Sequence, residues 1–220
     1  MIKSAVLIAN GEVSKIQYVK SIIDSNNLFI SIDAKLENLK KLGIKPNLIL
    51  GDLDTASIDN LDSNTKVVKL YDQCKTDLEK TLDYCISQNI HNLYILGATG
   101  ERDDHNLANI MIAQQYSDSL NIEIVTNYYQ ISFVNGSKEI LGKKYRNLSM
   151  ISSIDDNKIT TSGLQYNLSD QKLDSFSHGI SNRIISDKCL IKSEEKLILF
   201  VEIEWQIRLE SLALEYQALL

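Results

Sequence analysis

The chain has 220 residues, 44% hydrophobic and 24% charged, a globular balance that excludes global disorder. A net charge of −6 and a pI near 5.1 argue against general affinity for nucleic acid or an anionic membrane, leaving room for a local basic pocket at most. The longest apolar runs, residues 5–9 and 197–201, are too short to span a bilayer. Residues 1–11 lack a signal-peptide pattern, and three scattered cysteines (Cys74, Cys85, Cys189) form no CxxC pair, so the expected setting is a reducing cytoplasm.

Up to about residue 126, short apolar runs alternate with helical periodicity. Residues 5–9, 28–32, 47–50, 66–70, 92–96 and 122–126 read as strands, and residues 14–25, 35–42, 75–89 and 104–119 as helices between them. In the third helix Leu78, Leu82, Cys85 and Ile86 share one face; in the fourth, Leu107, Ile110 and Met111 do. Strand and helix in alternation predict βαβ units and a mostly parallel sheet flanked by helices, with ligands outside the carboxyl ends of the strands.

From about Gln130 the helical period fades. Residues 138–141, 148–154, 180–186, 188–193 and 197–204 read as short strands, separated by turn clusters such as Asp155-Asp156-Asn157 and Thr161-Ser162-Gly163. Leu199, Val201 and Ile203 alternate with Phe200, Glu202 and Glu204, the pattern of a half-buried antiparallel strand. The expected organisation is an α/β domain over 1–128, an antiparallel β-sandwich over 129–205 packed against it without a long linker, and a helix-like tail over 206–220.

Three polar clusters follow predicted strands. In Gly51-Asp52-Leu53-Asp54-Thr55 an extended backbone aims Asp52 and Asp54 the same way. Adjacent carboxylates repel unless a cation lies between them, and Mg²⁺, with water and phosphate oxygens completing its octahedron, suits such a pair; a solvated acidic turn is the plainer alternative. In Asp72-Gln73-Cys74-Lys75-Thr76-Asp77-Leu78-Glu79, Thr76 and Glu79 form a capping box that puts Asp77 in the first helical turn. There an acid complements the helix dipole and can also face the edge that carries Asp52 and Asp54. In Gly97-Ala98-Thr99-Gly100-Glu101-Arg102-Asp103-Asp104-His105-Asn106 glycines permit close backbone approach to a ligand, and Arg102 offers a planar fork to phosphate. Asp104 is the expected N-cap of the following helix. Three carboxylates and an arginine on one sheet edge read as metal-assisted phosphate chemistry.

Taken in order, these motifs resemble the thiamine pyrophosphokinase family. The matches are Ala9-Asn10-Gly11; Gly51 to Thr55 for the family's GDxDS; Asp72-Gln73 with Thr76-Asp77 for DQxxTD; Gly97 to His105 for GxxGxRxDH; and Gly179-Ile180-Ser181-Asn182 for G-[TVI]-S-N. The resemblance implies a homodimeric enzyme with an α/β ATP- and Mg²⁺-binding domain and a β-sandwich thiamine-binding domain. It would move pyrophosphate from Mg-ATP to the hydroxyl of thiamine, giving thiamine diphosphate and AMP. It implies Asp52, Asp54 and Asp77 as holders of Mg²⁺, catalytic together with Arg102. It also implies Asp33, Gln73, Asp77, Gly97, Thr99 and Arg102 as the nucleotide-binding set, and Asp104, Ser181 and Asn182 on the thiamine side. Two departures stand out: Asp33-Ala34-Lys35 replaces the family's Asp-Gly-Gly, and Thr55 replaces its Ser. The missing Asp-Gly-Gly keeps in play a nucleotide- or thiamine-binding sensor without turnover. The DxD pair keeps in play another Mg²⁺- and nucleotide-dependent transferase, with the pair holding Mg²⁺ and a sugar nucleotide. The products formed from Mg-ATP and thiamine separate all three.

Overall fold

The computed structural model describes residues 3–13, 16–25, 28–33, 37–51 and 63–203. The predicted tail therefore lies outside the described residues, as do Asp52, Asp54 and Thr55. Contacts divide the chain between Asn127 and Tyr128 into two compact units.

The first unit alternates strand and helix: β1 (Lys3–Ile8), α1 (Ile16–Asp24), β2 (Phe29–Ile32), α2 (Glu37–Leu42), β3 (Leu48–Gly51), β4 (Lys66–Lys69), α3 (Asp77–Ser87), β5 (Ile90–Leu96), α4 (Asp103–Tyr116) and β6 (Asn121–Val125). The strands run in the order β6-β5-β1-β2-β3-β4, and every pairing among them is parallel. From β1 the chain walks one way through β2, β3 and β4, then returns to the other side of β1 for β5 and β6. The topological switch point therefore falls between β1 and β5. The inner strands are continuously apolar because helices cover them: Leu7, Ile30, Leu50, Leu93, Ile95 and Ile124 are fully buried.

In α3, Leu78, Leu82 and Cys85 are buried as the spacing predicts, and burial pushes the Cys85 thiol up to about 12. The face of α4 differs from expectation. Leu107 and Met111 are exposed, whereas Ile112 and Ala113 are buried. Apolar residues surround this helix on several sides, so periodicity selects no single face. Asn106 and Asn109 also take hydrogen bonds to a loop, which no apolar count reveals.

The second unit holds β7 (Tyr129–Leu141), β8 (Asn147–Ser152), β9 (Ile159–Ser162), β10 (Asn182–Arg183) and β11 (Lys188–Glu202). All its pairings are antiparallel, in the order β10-β8-β11-β7 with β9 also on β11. β11 pairs with β9 through Leu190–Ser193 and with β8 through Leu197–Val201, and its register shifts between Ser193 and Leu197. A bulge of this kind bends a strand and lets it serve two partners. Buried Asn157 holds the bulge, its Oδ1 accepting from Glu195 N and Ser193 Oγ, each at 2.9 Å. One apolar core fills the unit, built around Leu148, Met150, Ile159, Ile184, Ile191 and Leu199.

Several predicted bounds change here. The strand at 138–141 begins at Tyr129, 188–193 and 197–204 form one bent strand, and 180–186 contracts to Asn182–Arg183. Thr161 and Ser162 belong to β9 instead of a turn. Thr161 is buried there, its Oγ1 accepting from Leu168 N at 2.9 Å. A polar residue at a core position hides the period-2 signal.

Candidate active site

Parallel strands end together, so the carboxyl ends of β1, β2, β3, β4 and β5 all lie at one edge of the first unit. At the switch point the loops after β1 and β5 zip together: Ala9 N donates to Leu96 O, Gly11 N to Gly97 O and Glu12 N to Thr99 O, each at 2.8 Å. Such an approach leaves no room for a β-carbon. One built on Gly97, whose φ is +68°, would lie 2.6 Å from Ala9 O. Three asparagines brace the pair from the helices behind. Asn38 Nδ2 on α2 donates to Ala9 O at 2.8 Å and Gly11 O at 2.7 Å. On α4, Asn109 Nδ2 donates to Ala98 O at 2.8 Å, and Asn106 Oδ1 accepts from Gly100 N at 2.8 Å. Gly97 and Thr99, expected at the nucleotide, thus sit in a backbone frame fixed by side chains to which the motifs assign no role. Their signal was weak: asparagine is a poor helix former, and a mid-helix asparagine commonly has a backbone partner.

Asp33 follows β2 directly. Its φ of +61° is unusual for a residue with a side chain, and contacts with Leu50, Ser31 and Asn10 help hold it. Asp33 N donates to Leu50 O at 2.6 Å, Ser31 Oγ donates to Asp33 O at 2.9 Å, and Asn10 Nδ2 donates to Asp33 Oδ2 at 3.3 Å. Asn10 Oδ1 is buried and accepts no hydrogen bond among the described residues. Gly51 closes β3 beside this residue, its β-carbon position 3.0 Å from Asp33 Cα. β3 thus ends next to Asp33.

The segment before α3 is pinned at several points. Asp72 Oδ1 accepts from Cys74 N at 2.9 Å, and Gln73 is exposed. The predicted capping box is present, Thr76 Oγ1 accepting from Glu79 N at 3.2 Å and Glu79 Oε2 from Thr76 N at 2.9 Å. Lys75 Nζ donates to Asp83 Oδ2 at 2.6 Å, and Tyr116 OH donates to Asp83 Oδ1 at 2.9 Å. Asp77 therefore opens α3 with a fixed backbone. Its Oδ1 is buried and accepts no aligned hydrogen bond among the described residues, although Lys80 Nζ lies 2.7 Å away. A hard anionic oxygen of this kind suits Mg²⁺. Among the described residues no group of three His, Cys, Asp or Glu could hold a metal; the other two expected ligands lie outside them.

Arg102 is the N-cap of α4, and Asp104, expected at the cap, is instead the second residue of the first turn, two places past it. Arg102 grips Asp104 with both arms, Nε to Oδ1 at 3.1 Å and a terminal nitrogen to Oδ2 at 2.6 Å. The guanidinium, aided by His105 N, holds the Asp104 carboxyl down to about 2. This pair is two-thirds exposed, so a phosphate can compete for the fork at small cost.

In the second unit Ser181 has a φ of +61°, and its N–H donates to Ser149 Oγ at 3.0 Å. Asn182 is 8% exposed, and its amide is engaged by backbone. Oδ1 accepts from Tyr166 N at 3.1 Å and Arg183 N at 2.8 Å, and Nδ2 donates to Tyr166 O at 2.7 Å. Ser181 remains exposed beside it, while Asn182 shapes the turn.

Fold and edge together define a class: an open α/β unit with a glycine-lined switch point and an acidic rim, followed by an antiparallel β unit. Comparison with known proteins sharpens this. Residues 19–126 match the catalytic domain of thiamin pyrophosphokinase and residues 137–198 its vitamin B1 binding domain. "Thiamin pyrophosphokinase 1" of Caenorhabditis elegans is 28% identical over 182 residues, 76% of this chain and 74% of that protein. Thiamine pyrophosphokinase of Bacillus subtilis is 26% identical over 177 residues, 76% of this chain and 82% of that protein. The crystal structure of thiamine pyrophosphokinase from Bacillus subtilis superposes with a TM-score of 0.75 at 23% identity, covering 92% of this chain and 100% of that one. The chain belongs to the thiamine pyrophosphokinase family.

Proposed function

We propose that this chain is a thiamine diphosphokinase that transfers the terminal pyrophosphoryl group of Mg-ATP to the hydroxyl of thiamine and releases AMP. The observation that carries this reading is the family match across both units in order, the catalytic part on the α/β unit and the vitamin B1 binding part on the β unit. The geometry of the first unit supports it, since the switch point and Asp77 share one strand-end edge.

Each residue then has a task. The crossed loops at Gly11 and Gly97 bring bare backbone to the nucleotide, and Asp33 borders it. Asp77, with Asp52 and Asp54, holds Mg²⁺, which when bound neutralises charge on the phosphates. Gln73 reaches phosphate oxygens from its exposed turn. Arg102 exchanges its grip on Asp104 for the transferring oxygens, a charge-assisted contact of the kind that stabilises phosphoryl transition states. Asp104 stays ionised throughout the neutral range and suits a cationic substrate such as thiamine. In the β unit we assign thiamine contact to Ser181, with Asn182 holding the turn that presents it.

We further propose a homodimer that works in the cytoplasm and engages no nucleic acid, and no described helix is long and apolar enough to cross a membrane. Static light scattering at micromolar concentration tests the dimer. Quantifying AMP, ADP and thiamine phosphates in one reaction tests the chemistry: one AMP per thiamine diphosphate is expected. ADP with thiamine monophosphate would make the protein an ordinary kinase, and ligand binding without product a sensor.

A further inference from the structure

One buried charge on the edge has no task in that scheme. Lys80 is on the inner side of α3, its side chain only 6% exposed, three residues after Asp77. A buried ammonium is strongly disfavoured unless an anion compensates it. Among the described residues its one ion-pair partner is Asp77, with Nζ 2.7 Å from Oδ1. The contact lacks hydrogen-bond alignment, so it is an attraction of charges and leaves the carboxylate able to change partners. Asp77 is the less enclosed of the two, its side chain 29% exposed. The pair is thus shut on the lysine side and more open on the carboxylate side. Helix geometry enforces this, because residues three apart stack on one face with side chains leaning toward the N-terminus.

We infer that Lys80 is a positioning residue that acts as the resident countercharge of Asp77. It holds the carboxylate ready before substrate arrives and lowers the negative potential of the nucleotide-free edge. Divalent metal is then taken up together with the triphosphate, whose own charge draws it in, and only weakly by the empty protein. The inference rests on the reading of Asp77 as a metal ligand. It adds a device that sets when the metal binds.

The test is Mn²⁺ binding to nucleotide-free protein, followed by electron paramagnetic resonance, in the unaltered chain and in Lys80→Met, Lys80→Arg, Asp77→Asn and Lys172→Met. Lys172 is an exposed lysine of the second unit and controls for the change in net charge. Removing one positive charge a few ångströms from the metal ligand should tighten Mn²⁺ about tenfold in Lys80→Met, after solvent screening of the full Coulomb effect. Lys80→Arg and Lys172→Met should bind as the unaltered chain does. Turnover with Mg-ATP and thiamine should fall in Lys80→Met mainly through kcat. The sign is what discriminates, because mere loosening of the helix would weaken metal binding. Mn²⁺ affinity in Lys80→Met that is unchanged, weakened, or matched by Lys172→Met overturns the inference. Should Lys80→Met fail to fold, Lys80→Gln carries the same expectation. If Asp77→Asn leaves both Mn²⁺ binding and transfer intact, the metal-ligand reading itself fails. If Asp77→Asn abolishes them and Lys80→Met changes nothing, only the role of Lys80 fails.

Discussion

The brace beneath the switch point yields a prediction whose size follows from the structure. Asn38 is 5% exposed, and its single amide nitrogen serves two backbone carbonyls, Ala9 O at 2.8 Å and Gly11 O at 2.7 Å. In Asn38→Ala both carbonyls lose that donor in a water-poor setting. Each such loss costs about 1–1.5 kcal/mol, for a total of about 2–3 kcal/mol, and the melting temperature should fall by about 4–12 °C. Asn38→Asp is the sharper probe. It keeps the shape of the side chain but sets a carboxylate against two carbonyl oxygens, so it should destabilise more than alanine does. Urea unfolding of both variants, together with steady-state kinetics, measures the effect. The KM for Mg-ATP should rise in both variants, since the loop proposed to meet the nucleotide loses its register. If Asn38→Asp were as stable as the unaltered chain, the side chain would not be donating, and the account of the brace would be wrong.

Asp77→Asn should lower transfer by at least about a hundredfold through loss of metal positioning, and should also cost stability because Lys80 loses its buried partner; product assays and thermal melts separate the two effects. Asn182→Ala should destabilise the second unit by about 1–3 kcal/mol by freeing the backbone of Tyr166, whereas Ser181→Ala should leave stability near normal and weaken thiamine binding, both readable by calorimetry. The Asp104 carboxyl, held down to about 2 by Arg102, contributes stability that is complete above its ordinary value of 3.8 and lost as pH falls through about 2. Activity should therefore show no Asp104 limb between about pH 5 and 9, and Arg102→Ala should raise the carboxyl toward its ordinary value in a carbon-13 NMR titration.

The parts of this architecture that are legible in sequence are those whose physics is local. Continuous apolar runs mark the covered strands β1, β2, β3 and β5, and the Thr76–Glu79 box fixes the start of α3 before any tertiary contact is considered. The second unit is harder to read for a definite reason. A residue such as Thr161 is buried with its hydroxyl satisfied at Leu168 N, so a core position carries a polar letter. The bend at Ser193–Leu197 likewise breaks one strand into two apparent ones. The same limit applies at the site. The acids and Arg102 follow predicted strands and can be found by position, but Asn106 and Asn109 reach back six and eleven residues to the loop before their helix, and Asn38 acts on backbone 27 and 29 residues away. For Asn38, only the strand order brings that backbone near.

That division has a physical cause. Groups that meet a phosphate or a metal need charge, and charge at a strand end is conspicuous. Groups that keep the loops in register are best neutral, since they face carbonyl and amide dipoles that a charge could not satisfy from both sides. Asparagine meets this need because its amide can donate and accept at once, as Asn106 does with Gly100 N and O and Asn182 does with Tyr166. Lys80 is the exception, a charge placed behind the site, and the burial that makes it costly is what ties it to Asp77. Substituting the asparagines should therefore disturb stability and KM together. Substituting Lys80 should alter the order in which metal and nucleotide are taken up, an effect that a purely structural lysine would not produce.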